Sequence, residues 1–152
     1  WTSFVENVEW LYKKLGSNDT VRVHGSLSIE DRNRMIDQFC ENANIRTLIA
    51  TIQSSKEGLT LTVANNAIFY DRTLSLDGYL QAQDRIHRIT QTKECSIYNI
   101  ILKDSIDEWI ESLIEAKHLS AQLLQGDIKR DEFRKKMNYD FGDILRKILN
   151  IK

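Results

Sequence analysis

Two arginines, Arg85 and Arg88, stand three residues apart in the segment Gln81-Ala82-Gln83-Asp84-Arg85-Ile86-His87-Arg88-Ile89-Thr90-Gln91. A guanidinium is planar, always charged and able to donate two parallel hydrogen bonds, so a pair of them makes a fork suited to phosphoryl oxygens. On a helix Gln81, Asp84, Arg85 and Arg88 fall at i, i+3, i+4 and i+7 and share one face. The chemistry this offers is the grip of a polyphosphate. The same spacing also describes a solvated polar face, and spacing alone does not choose between the two.

Other chemistries are harder to find. The chain contains no Gly-x-x-x-x-Gly-Lys-Ser/Thr loop, so it has no backbone cradle of that kind for a triphosphate. It contains no Gly-x-Ser-x-Gly, which disfavours an α/β-hydrolase. His24, His87 and His118 show no metal-ligand spacing, and His118 reads as a solvated helical residue. Cys40 and Cys95 form no Cys-x-x-Cys, so neither a zinc site nor a disulfide framework is indicated. No apolar run reaches the length of a membrane span, and the N-terminus lacks a signal pattern. The net charge of −1 withholds the simplest argument for nucleic acid, a strongly basic domain. Residues 127–152 are the exception, with eight Lys/Arg against five Asp/Glu.

The elements that must position these residues alternate along the chain. Phe4 to Leu15 has a helical apolar face, with Ser3 and Glu6 as a capping box. Val21 to His24 reads as a strand. A helix capped by Ser28 follows, carrying Ile29, Met35, Ile36 and Phe39. Thr47–Ala50 and Ala67–Tyr70 are continuous apolar runs, the mark of strands buried on both faces. Ser54 to Gly58 reads as a loop. A helix over Leu76–Arg88, a strand over Cys95–Leu102 and helices over Ser105–Leu124 and Asp131–Leu149 complete the chain. Strands alternating with helices predict an α/β domain with a parallel sheet, and 152 residues suit one domain. Such sheets bind ligands at the carboxyl ends of their strands. The segments to watch are therefore His24-Gly25-Ser26, Thr51 to Gly58, and Asp71 to Ser75.

Gln81 to Gln91 closely resembles the last motif of the Swi/Snf-type DNA translocases, Gln-Ala-x-Asp-Arg-x-His-Arg-Ile-Gly-Gln. Thr90, where the family has Gly, is the single departure. Earlier blocks resemble the same family in the same order. His24-Gly25-Ser26 with Arg32 and Phe39 is one, and Thr51 to Leu61 followed by Ala64-Asn65 and the strand to Asp71 is another. Together they cover residues 21 to about 125, nearly the whole second RecA-like lobe of a superfamily-two motor. On this resemblance Trp1 to Leu15 matches the end of the lobe's first strand and its first helix, with the opening strand cut before Trp1. Ser55-Lys56 stands where the family has a Gly-Gly pair, and Leu74-Ser75-Leu76 where it has Trp-Asn-Pro. The form Gly58-Leu59-Thr60 looks more like the annealing-helicase and bacterial or phage branches than like chromatin remodellers.

The resemblance implies a three-layer RecA-like fold, with a mostly parallel sheet, helices on both faces and added C-terminal helices. It implies a lobe over 1–103 and brace helices over 104–152 packed on the same domain, with Trp109, Ile110, Leu113 and Ile114 as core or brace. ATP and Mg²⁺ are then held mainly by an N-terminal lobe outside this sequence, and the second lobe supplies arginine fingers, Arg85 and Arg88. Gln81, Asp84 and Gly58 fall at the nucleotide: Gln81 orients it, Asp84 pairs with Arg85, and Gly58 lets the backbone approach the cleft. Gly25, Ser26, Thr51, Gln53, Ser54 and Lys56 fall where such motors touch the phosphates of double-stranded DNA, without sequence readout. A lobe gripping only a few phosphates through backbone dipoles need not be basic. The implied protein is an ATP hydrolase without a membrane partner, nuclear in a eukaryote and cytoplasmic in a bacterium or phage, and this chain alone is expected to be inactive. The competing readings are an isolated DNA- or protein-binding scaffold lobe and a lobe of an RNA helicase.

Overall fold

The computed structural model describes residues 1–71 and 73–137, with the backbone alone at 55–57. The chain forms two compact units. The first comprises Trp1–Asp71 and Asp77–Ile100; the second, among the described residues, comprises 73–76 and 101–137.

In the first unit β1 (Thr20–Val23) pairs in parallel with β2 (Thr47–Ala50), Val21 lying opposite Leu48. β3 (Asn66–Phe69) pairs in parallel with β4 (Ser96–Asn99), Ile68 lying opposite Tyr98. Parallel neighbours need a crossover. α2 (Ile29–Glu41) supplies it for the first pair and α3 (Leu76–Gln83) lies in it for the second. Residues 1–2 lie between the two pairs. The Thr2 amide donates to the Ala50 carbonyl (3.1 Å) and the Ile52 amide to the Thr2 carbonyl (2.9 Å) on one side. The Tyr70 amide donates to the Trp1 carbonyl (2.8 Å) on the other. The order across the unit is therefore β1, β2, residues 1–2, β3, β4, an α/β arrangement with parallel strands as expected.

The core follows from which faces the helices cover. Phe69, Ile52 and Ala82 form one buried cluster, with Trp1, Tyr79 and Ile97 against it. Leu61, Ala67 and Ile86 form another. The ring centroids of Phe69 and Tyr79 are 4.6 Å apart and tilted by 54°, a geometry that aromatic pairs favour. β3 departs from the expectation of burial on both faces. Ala67 and Phe69 are buried, whereas Ile68 is 53% exposed. Side chains of a strand alternate sides, and only the Ala67–Phe69 face is covered by described residues.

The first helix also starts differently. α1 (Val5–Leu15) has Phe4 at its N-cap with no side-chain cap, so Ser3 and Glu6 do not form a capping box. Ser3 is held elsewhere: its amide donates to Asp71 Oδ1 (2.7 Å). The Asp71 carboxylate also accepts from the Thr2 hydroxyl and from Asn7 Nδ2 (3.1 Å), tying the start of α1 to the end of β3. Ser28 does cap α2, its hydroxyl accepting from the Asp31 amide (3.0 Å). Ser54 to Gly58, expected as a loop, is mostly taken up by a short 3₁₀ turn, Ile52–Glu57.

The second unit is built on α4 (Ile106–Gln125), capped by the Ser105 hydroxyl and closed by Gly126 at φ +84°. Ser112, Ile114, Ala116 and Leu119 are buried, while Trp109, Ile110 and Leu113 are half-buried. Lys117 Nζ donates to the Leu74 carbonyl (2.7 Å). α5 (Arg130–Lys136) follows. The rest of the helix expected over Asp131–Leu149, with Phe141, Ile144, Leu145, Ile148 and Leu149, lies outside the described residues.

Candidate nucleotide and nucleic-acid interface

At the end of β1, Glu9 of α1 gathers two nitrogen-bearing side chains. Its Oε1 lies 2.7 Å from Arg22 Nε and 2.8 Å from His24 Nε2. The Arg22 guanidinium also sits over the Tyr12 ring at 4.1 Å, a cation–π distance. His24 is thereby buried and the chain turns outward at Gly25-Ser26, both exposed, just before α2 begins. Beside them the Thr51 amide donates to the Val23 carbonyl (3.1 Å). Thr51 and Ser54 are buried, and the Ser54 hydroxyl donates to the Thr51 carbonyl (2.6 Å), closing the 3₁₀ turn from inside. Gln53 is exposed, and the Lys56 side chain lies outside what is described. Of the six residues expected at DNA phosphates, Gly25, Ser26 and Gln53 thus face solvent.

Gly58 ends that turn at φ +74° and ψ +13°, the left-handed region. A Cβ placed there would meet nothing within 4 Å. The glycine is therefore required by its backbone conformation rather than by crowding within this chain.

The arginine segment is not the helix that its spacing predicts. α3 stops at Gln83, and residues 84–90 follow as successive tight turns. The Ile86 amide donates to the Gln83 carbonyl (3.1 Å) and the Gln91 amide to the Arg88 carbonyl (2.8 Å), each spanning three residues. Tertiary bonds to the 59–64 loop account for the break. The Arg85 carbonyl accepts from the Leu61 amide (2.9 Å), and Arg85 Nη1 donates to the Leu59 carbonyl (3.3 Å). Arg88 Nε donates to the Asp84 carbonyl (3.1 Å) and its Nη1 to the Thr60 hydroxyl (2.7 Å).

Both arginines thus lie on one loop, in different surroundings. Arg85 is 9% exposed, and its buried Nε has no partner among the described residues. Burial, and then the positive charge of Arg88, pull its pKa below the ordinary guanidinium value, with Asp84 opposing. Arg85 nonetheless remains a cation at neutral pH. The Asp84 carboxylate is exposed and forms no ion pair with Arg85; it acts through space. Arg88 lines an open hollow of about 620 Å³ with Thr60, His87, Ile89 and Thr90. Gln81 is half-buried on α3. Among the described residues no group of His, Cys, Asp and Glu side chains gathers as a metal site.

Sequence reasoning missed the partners of these arginines, the Leu59 carbonyl and the Thr60 hydroxyl, and it gave Gln91 no task. Gln91 donates from one carboxamide to the carbonyls of Thr62, Ala64 and Ile86. Its place at the end of the motif was the only available signal.

Residues 1–90 match the family described as the helicase conserved C-terminal domain. The chain belongs to that family. Relatives and a solved structure agree. The protein CHROMATIN REMODELING 19 of Arabidopsis thaliana is 30% identical over 150 residues, 98% of this chain and 20% of its own length. The ATP-dependent helicase FUN30 of Saccharomyces cerevisiae is 35% identical over 126 residues, 82% of this chain and 11% of its own length. The crystal structure of the C-terminal part of the Fun30 ATPase domain superposes with a TM-score of 0.67 at 34% identity, over 74% of this chain and 37% of that one. The helicase lobe thus spans a fifth or less of these two curated relatives. The Swi/Snf-type identity read from Gln81–Gln91 and the RecA-like fold both hold. Relatives named for chromatin remodelling match this chain, which runs against the leaning toward annealing-helicase and bacterial or phage branches. That leaning rested on the form Gly58-Leu59-Thr60, whose Thr60 hydroxyl accepts from Arg88 in this fold.

Proposed function

We propose that this lobe is the second half of an ATP-dependent DNA translocase whose ATP site lies between two lobes. The observation that carries the reading is the pair Arg85 and Arg88 on one loop, with Arg88 at the rim of an open hollow. ATP and Mg²⁺ are held by the N-terminal lobe, which supplies the phosphate loop absent here. Phosphoryl transfer spreads negative charge over the equatorial oxygens, and a guanidinium inserted against them is worth about 10³–10⁵ in rate. Arg88 holds the Thr60 hydroxyl, a neutral acceptor that a phosphate oxygen can replace. Arg85, buried and bonded to a carbonyl, braces the loop and adds its field. Gln81, Asp84 and Gly58 complete the nucleotide-facing edge.

Double-stranded DNA runs across the carboxyl ends of β1 and β2. Gly25, Ser26 and Gln53 meet its phosphates first, supported by the start of α2, whose amides favour anions. Thr51 and Ser54 shape that edge, and Lys56 adds a charge. The division into a lobe over 1–103 and a brace over 104–152 belongs to the same reading, as does a nuclear location. This chain alone hydrolyses no ATP. Arg88→Ala in the full-length protein lowers DNA-stimulated hydrolysis by about 10³-fold or more while DNA affinity is unchanged. Steady-state hydrolysis and DNA titration check this, and near-normal turnover in that variant refutes the finger assignment.

A further inference from the structure

Gln91 follows the arginine segment and takes no part in the roles above. Its carboxamide nitrogen donates to three main-chain carbonyls: Thr62 at 3.1 Å, Ala64 at 2.8 Å and Ile86 at 3.2 Å. Its oxygen accepts from the Lys93 amide at 3.0 Å, and its own amide donates to the Arg88 carbonyl at 2.8 Å. An NH₂ group carries two hydrogens, so three acceptors share them. Among the neutral side chains only a primary amide offers two such donors beside an acceptor in one plane. The Gln91 side chain therefore holds the loop that contains the acceptors of both guanidiniums, Leu59 and Thr60, while its main chain holds Arg88.

We propose that Gln91 is a positioning residue of the ATPase site, clamping the 59–64 loop to the 84–91 segment and so fixing where Arg85 and Arg88 stand. The proposal rests on the finger reading given above. The alternative is that these bonds merely hold the fold together. Their placement argues for the clamp: the bonds from Gln91 fall on Ile86 between the two arginines, on the carbonyl of Arg88 itself, and on the loop those arginines touch. Misplacing a catalytic group by about 1 Å can cost about 10²-fold in rate.

The test compares Gln91→Glu and Gln91→Met with Arg88→Ala in the full-length ATPase. The first keeps the length and loses the donors; the second keeps the bulk and loses donors and acceptor alike. DNA-stimulated kcat, KM for ATP and DNA affinity are measured well below each variant's Tm. The competent fraction is counted by stoichiometric DNA titration. Both Gln91 variants are expected to lose about 10–100-fold in kcat per competent molecule, with KM and DNA affinity little changed. Gln91→Glu is further expected to regain kcat as the pH falls from about 8 toward 6, because the three carbonyl oxygens around the side chain disfavour a carboxylate and raise its pKa, and the protonated carboxyl restores one donor. The wild type and Gln91→Met are expected to show no such recovery. An unchanged kcat per competent molecule, or a loss wholly explained by a smaller competent fraction, overturns the clamp. If Arg88→Ala is inactive in the same assays, the finger reading survives that result. Near-normal turnover in Arg88→Ala overturns the finger reading and the clamp with it.

Discussion

Replacing Gly58 by alanine isolates the cost of one backbone conformation. The residue sits at φ +74° and ψ +13°, and nothing lies within 4 Å of a Cβ added there. Steric repulsion therefore contributes nothing, and the cost reduces to that of the left-handed region. That region costs an L-residue about 1–2 kcal/mol. The narrower conformational freedom of alanine in the unfolded chain offsets about 0.4–1 kcal/mol of this. The expected loss is thus about 1 kcal/mol, or about 2–4 °C in Tm for a domain of this size. Asparagine tolerates the left-handed region better, so Gly58→Asn should lose about half as much. Thermal unfolding of the two variants beside the wild type, followed by circular dichroism, measures both. A fall of more than about 10 °C for Gly58→Ala would reveal a wall around the site that the fold does not contain. Equal losses for Ala and Asn would show that the left-handed backbone is not the cause.

Two further outcomes follow from the core and from a thiol. Phe69→Ala should lose about 3–5 kcal/mol in urea unfolding, because Phe69 is 1% exposed and packs on Tyr79; a loss below about 1 kcal/mol would contradict that packing. The Cys40 thiol has its pKa raised by burial and then by the carboxylates of Asp37 and Glu41. Its alkylation by iodoacetamide should accelerate only above the ordinary thiol range, as read by mass spectrometry across pH. The linkage has a definite sign. A pKa raised by folding adds stability that is complete below the unfolded thiol's pKa and lost as the pH climbs through the folded value. Cys40→Ala should flatten that alkaline fall, and an unaltered stability profile would contradict the shift.

The order of elements was legible because it depends on local pattern. The β-branched Val21 and Val23, the apolar run Leu48–Ala50 and the Ser28 cap need only their neighbours in sequence. The arginine motif was legible as a string but not as a shape. α3 ends at Gln83 because Arg85 is bonded, through both its side chain and its carbonyl, to a loop about 25 residues earlier. No window of helical periodicity contains that contact. The capping box failed at Ser3 for the same reason, since Asp71, 68 residues away, competes for its amide. The residues proposed to meet phosphates were legible as positions at strand ends, whereas the inward turn of the Ser54 hydroxyl depends on the 3₁₀ geometry after Thr51.

The two parallel pairs of the first unit are joined at residues 1–2 through a handful of main-chain bonds. Two-stranded sheets have little stability of their own. The seam therefore governs how this unit comes apart. Opening should begin there as one event, with the amides of Ile52 and Tyr70 exchanging hydrogen for deuterium together. It also governs assembly. Residues 1–2 must wait for β3, nearly 70 positions later, before either pair is sealed to the other. A unit wired in this way closes late and slowly, because its central join is among its most distant contacts along the chain.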